Sequence, residues 1–257
     1  MILDPRSREI LMKKAYGRQL LQPHHIFRLL QWSVKKRKGI SIIRLGDKMA
    51  KLLAKEELSS LKRESPFLGI SYPPSPQLLQ DLSRSVRQAT VVGVTYFPIR
   101  ARQLQKFMKT TGWIPRFITD SFINDLMYDQ GYLHHLLRSS RVALVGRSAE
   151  AAAQQLKKMN LPVSVVVSLG HYDRLPQAFA QLERTKNQWD LALVGASVPG
   201  RILCVDLTKR LNKTSFEIGH MMDALANPNE WNQHHDRKKF KVRWMRKLAH
   251  RKLEICP

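Results

Sequence analysis

Cysteine is scarce in this chain. Two occur in 257 residues, Cys204 and Cys256, which excludes a disulfide framework and the paired spacings of a zinc site. Long hydrophobic runs are missing as well. The longest, such as "RVALVG" and "PVSVVVSLG", fall well short of the roughly 20 apolar residues that span a bilayer. The opening "MILDPRSREILMKK" carries charge throughout and contains no apolar signal-peptide core. These absences together point to a cytoplasmic protein. There is no GxGxxG dinucleotide fingerprint, no Walker loop ending in GK[ST] and no GxSxG elbow. That argues against an ordinary dehydrogenase, methyltransferase, P-loop nucleotidase or serine hydrolase.

Acidic residues are also few. There are 20 Asp and Glu against 44 Lys and Arg, for a formal net charge of +24. The excess gathers at the ends: residues 1–40 hold ten basic and two acidic residues, and residues 229–257 nine basic and three acidic. Basic ends attract polyanions such as anionic lipid surfaces, nucleic acid or acidic glycans. A solvated, solubilising face is the plain alternative.

Hydrophobic residues make up 43% of the chain, enough for a packed core. Residues 1–37 read as helical, with apolar positions at Ile10, Leu11, Leu20, Leu21, Ile26, Phe27, Leu29 and Leu30. A short apolar run, Ile40 to Ile43, leads into a helix marked by Met49, Leu52, Leu53, Leu58 and Leu61. The proline-rich "SPFLGISYPPSP" at 65–76 reads as a loop. Apolar runs then alternate with helical patterns: "ATVVGVT", "RFIT", "RVALVG", "PVSVVVSLG", "WDLALVGAS" and "KTSFEIGH" are strand candidates. Their continuous apolar character predicts strands covered on both faces. The expected fold is α/β, a Rossmann-like, mostly parallel sheet with helices on both faces, and with helical basic extensions at each end. The expected divisions are a basic helical extension over 1–38, the α/β domain over 39–226 and a basic amphipathic helix over 227–257.

In open sheets of this kind the ligand lies beyond the carboxyl ends of the strands, so the strand-to-helix turns are where function is sought. "VGRSAE" offers Gly146, Arg147 and Ser148, and "VGASVPG" offers Gly195, Ala196 and Ser197. A tight glycine turn leading to a helix N-terminus favours anions, and Arg147 could reach a phosphate. Gly and Ser at such turns are also ordinary structural choices. Arg44, Gly46, Asp47 and Lys48 stand at the first turn. Asp47 suits a ribose hydroxyl or a divalent ion there, but its spacing favours the helix N-cap. "TDSFIND" supplies Asp120, Ser121 and Asn124, and "FEIGHMMD" supplies Glu217, His220 and Asp223. Asp120, Glu217, His220 and Asp223 are the groups available for proton transfer.

The order of these pieces resembles a known family. "IIRLGDKMAKLLA" is similar to the "RFGDGE" signature of the GT-D-type glycosyltransferases and GT-D fold-like bacterial domains. "TDSFINDLMYDQGYLHHLLRSSRVALVGRSAE", "VVVSLGHYDRL" and "WDLALVGASVPGRILCVDLTKRLNKTSFEIGHMMDAL" follow in the family's order, over about residues 25–226. The resemblance implies a compact α/β domain that binds a nucleotide-sugar, typically a UDP-sugar, and transfers the sugar. Taken with the turn residues above, it makes Arg44, Gly46, Lys48, Asn124, Gly146, Arg147, Ser148, Gly195 and Ala196 candidates for nucleotide-sugar contact, and Asp47, His220 and Asp120 catalytic candidates. The family's Asp and Glu are associated with a divalent metal such as Mn2+ or Mg2+. Here Asp47 matches, but Lys48 and Met49 stand where the family has Gly and Glu. Met is a poor ligand for hard cations. Either Lys48, Arg44 and Arg147 replace the metal's charge, or the domain keeps binding without transfer.

The C-terminal "NEWNQHHDRKKFKVRWMRKLAHRKLEICP" interleaves Trp231, Phe240, Trp244 and Leu248 with cations. Aromatics on one face and Lys/Arg on the other suit an anionic membrane surface, and thus a peripheral transferase with a glycan or lipid-linked acceptor at the cell envelope. The same aromatic face could instead pack on the domain. Interleaved aromatics and cations also fit single-stranded nucleic acid, although no recognised nucleic-acid module is present.

Overall fold

A computed structural model describes residues 4–161 and 163–233. The elements, in order, are α1 (Pro5–Tyr16), β1 (Leu20–Leu21), α2 (Pro23–Lys36), β2 (Ser41–Arg44), α3 (Asp47–Ala54), α4 (Ser65–Leu68), α5 (Pro76–Gln88), β3 (Val91–Val94), α6 (Pro98–Thr111) and β4 (Phe117–Asp120). They continue with α7 (Ile123–Asp129), α8 (Tyr132–Ser139), β5 (Val142–Gly146), α9 (Ala149–Lys158), β6 (Val165–Val167), α10 (Leu175–Arg184), β7 (Leu191–Gly195), α11 (Ser197–Leu211), β8 (Thr214–Glu217), α12 (Met221–Ala226) and α13 (Pro228–Gln233).

All eight strands join one sheet in the order β1-β4-β3-β2-β8-β7-β5-β6, and every pairing is parallel. The expected Rossmann-like sheet is therefore present, and it is wholly parallel. Parallel strands need helical crossovers, which cover both faces and explain the continuous apolar runs. Two apolar clusters result, one around Ile43, Leu52, Leu82 and Val194, the other around Ile26, Ile42, Leu144 and Phe216. Ile42 and Ile43 point to opposite faces, as successive strand residues must.

The amino-terminal segment is more than a helical extension. Leu20 and Leu21, which read as helical, form the edge strand β1 against Ile118 and Thr119. Helix α1 begins cleanly: Pro5 occupies its first position, Asp4 accepts from Ser7 N at 3.0 Å, and Gly17 closes it in the left-handed conformation. Met12 and Tyr16 then bury against the domain.

The proline-rich loop contains the short helix α4, and α5 begins at its last proline. Ser75 caps α5 by accepting from Leu78 N at 3.2 Å, and Leu78, Leu82 and Val86 bury one face. The helix expected after β2 ends at Ala54, where Lys55 turns left-handed (φ 55°), and Leu58–Leu61 form a separate 3-10 turn. Among the described residues no helix is long and apolar enough to cross a membrane. The basic amphipathic helix expected over 227–257 falls inside the described residues only as far as α13. There Trp231 is buried, edge-on to Tyr128 and tilted against His220. Phe240, Trp244 and Leu248 lie outside the described residues.

Candidate functional site

From β2 onward the chain runs outward through β3 and β4, then crosses to build β5 to β7 on the other side of the sheet, and returns with β8 beside β2. Where the winding reverses, adjacent crossovers part and leave a crevice at the carboxyl ends of the strands. A cleft of about 440 Å³ lies there, with lining residues from the turns after all seven strands β2 to β8.

Its floor is a buried polar lattice. Arg44, at the end of β2, donates from Nε to the Glu217 carboxylate at 2.8 Å and to the Glu217 carbonyl at 3.0 Å. Its Nη1 donates to Ser121 O at 3.1 Å and Asn124 Oδ1 at 2.7 Å, and its Nη2 to Glu217 Oε1 at 3.2 Å. A guanidinium has five N–H groups, so these bonds engage four of Arg44's five. Asn124 passes the lattice on to Ile218 O at 2.8 Å. Arg201 donates to Arg44 O and Ser197 O, each at 2.6 Å, and lies 3.4 Å from Glu217 Oε2. Burial pushes the Arg201 guanidinium below its ordinary pKa, opposed by Glu217. Gly219 (φ 53°) makes room for this arrangement, because a Cβ there would stand 1.9 Å from Arg44 Nη2.

The rim carries the groups that face solvent. Gly46, rather than Asp47, is the N-cap of α3, and no side chain caps that helix. Asp47 is therefore not spent on capping. It lines the cleft, with Thr95 Oγ1 at 3.5 Å. Lys48 pairs with Glu64 at 2.6 Å. Arg147 is exposed and is held by two carbonyls, Pro66 O at 2.8 Å and Gly170 O at 3.0 Å. Ser148 occupies the N-cap position of α9, but its hydroxyl donates to Asp223 Oδ1 at 2.7 Å instead of capping. Gly195, Ala196 and Ser197 also line the cleft, with Ser197 left-handed (φ 52°). A non-glycine residue in that region costs about 1–3 kcal/mol, and such outliers gather at functional sites.

His220 lines the cleft, and its Nε2 stands 2.7 Å from Oδ1 of Asp125, which is fully buried on α7. The sequence reading passed over Asp125. Its signal was an acidic residue between Ile123 and Met127 on an apolar helix face. Phe67, Phe97 and Phe122 were also not anticipated; they give the cleft half-buried aromatic walls.

Three expected site residues stand outside the cleft lining. Asn124 supports Arg44 from below, and Gly146 pairs with Gly195 across β5 and β7. Asp120 holds Arg8 of α1 at 2.6 Å and accepts from Phe122 N at 2.9 Å. Burial raises its pKa, and the Arg8 charge works against that.

The donor set does not suit a divalent cation. Met49, in the position of the family's Glu, is buried in the apolar core. Glu64, Glu217 and Asp223 are engaged by Lys48, Arg44 and Ser148. Among the described residues no three of His, Cys, Asp and Glu converge. Hard cations require several oxygen ligands, and Asp47 alone does not make such a site.

An open parallel sheet with its cleft at the reversal of strand order defines a Rossmann-like α/β domain. The chain belongs to the GT-D fold-like domain family, whose model matches residues 21–225. Two solved structures share the fold. One is described as a selenomethionine-substituted structure of the domain of unknown function 1792, with TM-score 0.60 and 14% identity, covering 88% of this chain and 85% of that one. The other is described as that highly conserved domain having a distinct glycosyltransferase fold, with TM-score 0.57, 15% identity and the same coverages. No curated protein matches the sequence.

Proposed function

We propose that the cleft binds a nucleotide-sugar, a UDP-sugar in the first instance, and transfers the sugar to a glycan or lipid-linked acceptor of the cell envelope. The supporting observation is convergence. Asp47, the Arg147-Ser148 pair, Ala196 and His220 come from four separate stretches of the sequence, yet all line one cleft in a glycosyltransferase-like fold. In this reading Asp47 contacts the nucleotide, and Phe67, Phe97 and Phe122 cover the base or sugar.

Formal charges in the lining cancel: Arg44, Lys48, Arg147 and Arg201 against Asp47, Glu64, Glu217 and Asp223. A departing diphosphate then depends on local cations rather than on the overall field. Arg147 is the best placed, because carbonyls rather than a carboxylate hold it. Lys48 assists, moderated by Glu64. A carboxylate beside Nε2 favours the tautomer protonated there, leaving Nδ1 as the basic nitrogen. His220 so arranged accepts the acceptor hydroxyl's proton, and Asp125 stabilises the imidazolium that forms.

Calorimetric titration with UDP and UDP-sugars, with and without manganese, tests the donor reading. Binding without metal that is lost in Asp47→Ala and weakened in Lys48→Ala supports it. No binding in either condition rejects it.

A second reading, a GT-D-fold protein that binds without transferring, draws on Met49. Where the family's metal-associated Glu would stand, the cleft has a thioether that packs into the core. Donor binding without turnover on any envelope acceptor favours it.

A further inference from the structure

A second cavity, of about 360 Å³, lies at the opposite, amino-terminal edge of the sheet. It is built where the end of α2, the end of α11 and the starts of β5, β7 and β8 meet. Three cations line it, Arg37, Arg141 and Lys213, against one carboxylate, Asp190. None of them belongs to the cleft above.

The backbone brings these cations together. Asn212, left-handed at φ 53°, donates from Nδ2 to Arg37 O at 3.1 Å and accepts from Gly39 N at 2.9 Å. Gly39 permits the approach, since a Cβ there would lie 2.6 Å from the Asn212 carbonyl carbon. Arg37, also left-handed at φ 51°, thereby sits beside Lys213. Left-handed helix ends usually carry Gly or Asn, so an Arg here keeps its charge at a conformational cost.

The cations exceed what the protein itself neutralises. Arg141 holds Asp190 through two bonds of 2.8 Å. Lys213 Nζ donates to Trp189 O at 2.6 Å and stands 4.0 Å from Asp190. The Arg37 side chain has no hydrogen bond or ion pair among the described residues. Burial, together with repulsion from Arg141, Arg37 and Lys186, holds Lys213 below the usual lysine range against the pull of Asp190.

We propose that this cavity is an anion site for a phosphate group. The lining's formal excess of two positive charges matches a phosphate monoester, which carries about −1.5 to −2 at neutral pH. The Arg37 guanidinium fork suits a tetrahedral oxyanion, while Arg141, held by Asp190 and by Asn187 O at 2.9 Å, contributes charge rather than an open fork. The phosphate belongs either to a soluble compound or to a lipid headgroup. Lys35, Lys36 and Lys38, next to Arg37 in the sequence, are exposed and add to the local positive charge.

The test titrates the full chain with inorganic phosphate by calorimetry, and measures its sedimentation with phosphatidylcholine vesicles carrying phosphatidic acid. Arg37→Gln is the informative variant, because Arg37 is exposed and its side chain holds no other part of the fold among the described residues. A Lys157→Gln/Lys158→Gln variant on the exposed end of α9 controls for general charge, and Arg147→Ala removes the other cleft's contribution. Saturable binding that survives Arg147→Ala, falls about tenfold in Arg37→Gln and is unchanged in the control supports the site. If this pattern appears with free phosphate, the source is soluble. If it appears with phosphatidic acid vesicles alone, the source is a headgroup. Absence of saturable binding to both, or an equal loss in the Lys157/Lys158 control, overturns the proposal.

Discussion

His220 Nε2 stands 2.7 Å from Asp125 Oδ1, with the carboxylate fully buried and the imidazole on the wall of the cleft. On the proposed transfer reading, the pair offers a way to separate catalysis from binding. His220→Ala should reduce sugar transfer by about 10²–10⁴-fold, the usual range for a positioned acid-base group. UDP affinity should hold. Asp125→Asn should lower kcat without raising KM, because the imidazolium formed during transfer loses its counter-charge. Steady-state kinetics across pH checks this. A parallel loss of donor affinity in both variants would make the pair structural.

Arg44 is expected to act on stability before function. Removing one partner of a buried ion pair leaves an uncompensated charge, at a cost of about 3–5 kcal/mol. Arg44→Met should fall at the lower end, because Arg201 remains 3.4 Å from Glu217. Adding Glu217→Gln should recover part of the loss. Gly219→Ala should also destabilise, since its methyl would occupy the guanidinium's place. Urea unfolding of these variants measures each value.

The sheet was largely legible because its seven longer strands are apolar runs bounded by turn residues. β1 was not, since two leucines between helices carry no strand signal and acquire one only by pairing with β4. α5 was hidden behind the proline-rich stretch, although Leu78, Leu82 and Val86 keep a four-residue spacing. The site was legible as a set of turns but not as a set of pairs. Arg8 meets Asp120 from 112 residues away, and Arg44 meets Glu217 from 173. No local pattern announces a partner so distant. Asp47 illustrates the difficulty: spacing favours a helix cap, and only the backbone gives that place to Gly46.

Glu57 ties α3 to α6 in a pH-dependent manner. Hydrogen bonds from Arg100 first, then Lys51, bring its pKa from an ordinary 4.5 to about 2. A depressed folded-state value means stability that is fully present above the unfolded pKa and lost as pH falls through the folded one. Glu57→Gln should therefore melt below the wild type at neutral pH. The two melting temperatures should converge as pH falls from 4.5 towards 2. A constant gap across that window would show that the contact is not ionic.

The two rim cations should differ in their weight on donor binding. Arg147 is fixed by Pro66 O and Gly170 O, so its charge is unopposed by a bonded carboxylate. Lys48 shares its charge with Glu64. A charge-assisted bond contributes about 1.5–3 kcal/mol, so Arg147→Ala should weaken UDP binding about ten- to hundredfold. Lys48→Ala should cost less. Arg147→Lys should fall between, because an ammonium keeps the charge but cannot bridge both carbonyls and still present a fork. Glu64→Gln should strengthen UDP binding by releasing Lys48. Calorimetric affinities in the reverse order, with Lys48 dominant and Glu64→Gln weakening, would move the diphosphate from Arg147 to the mouth of α3.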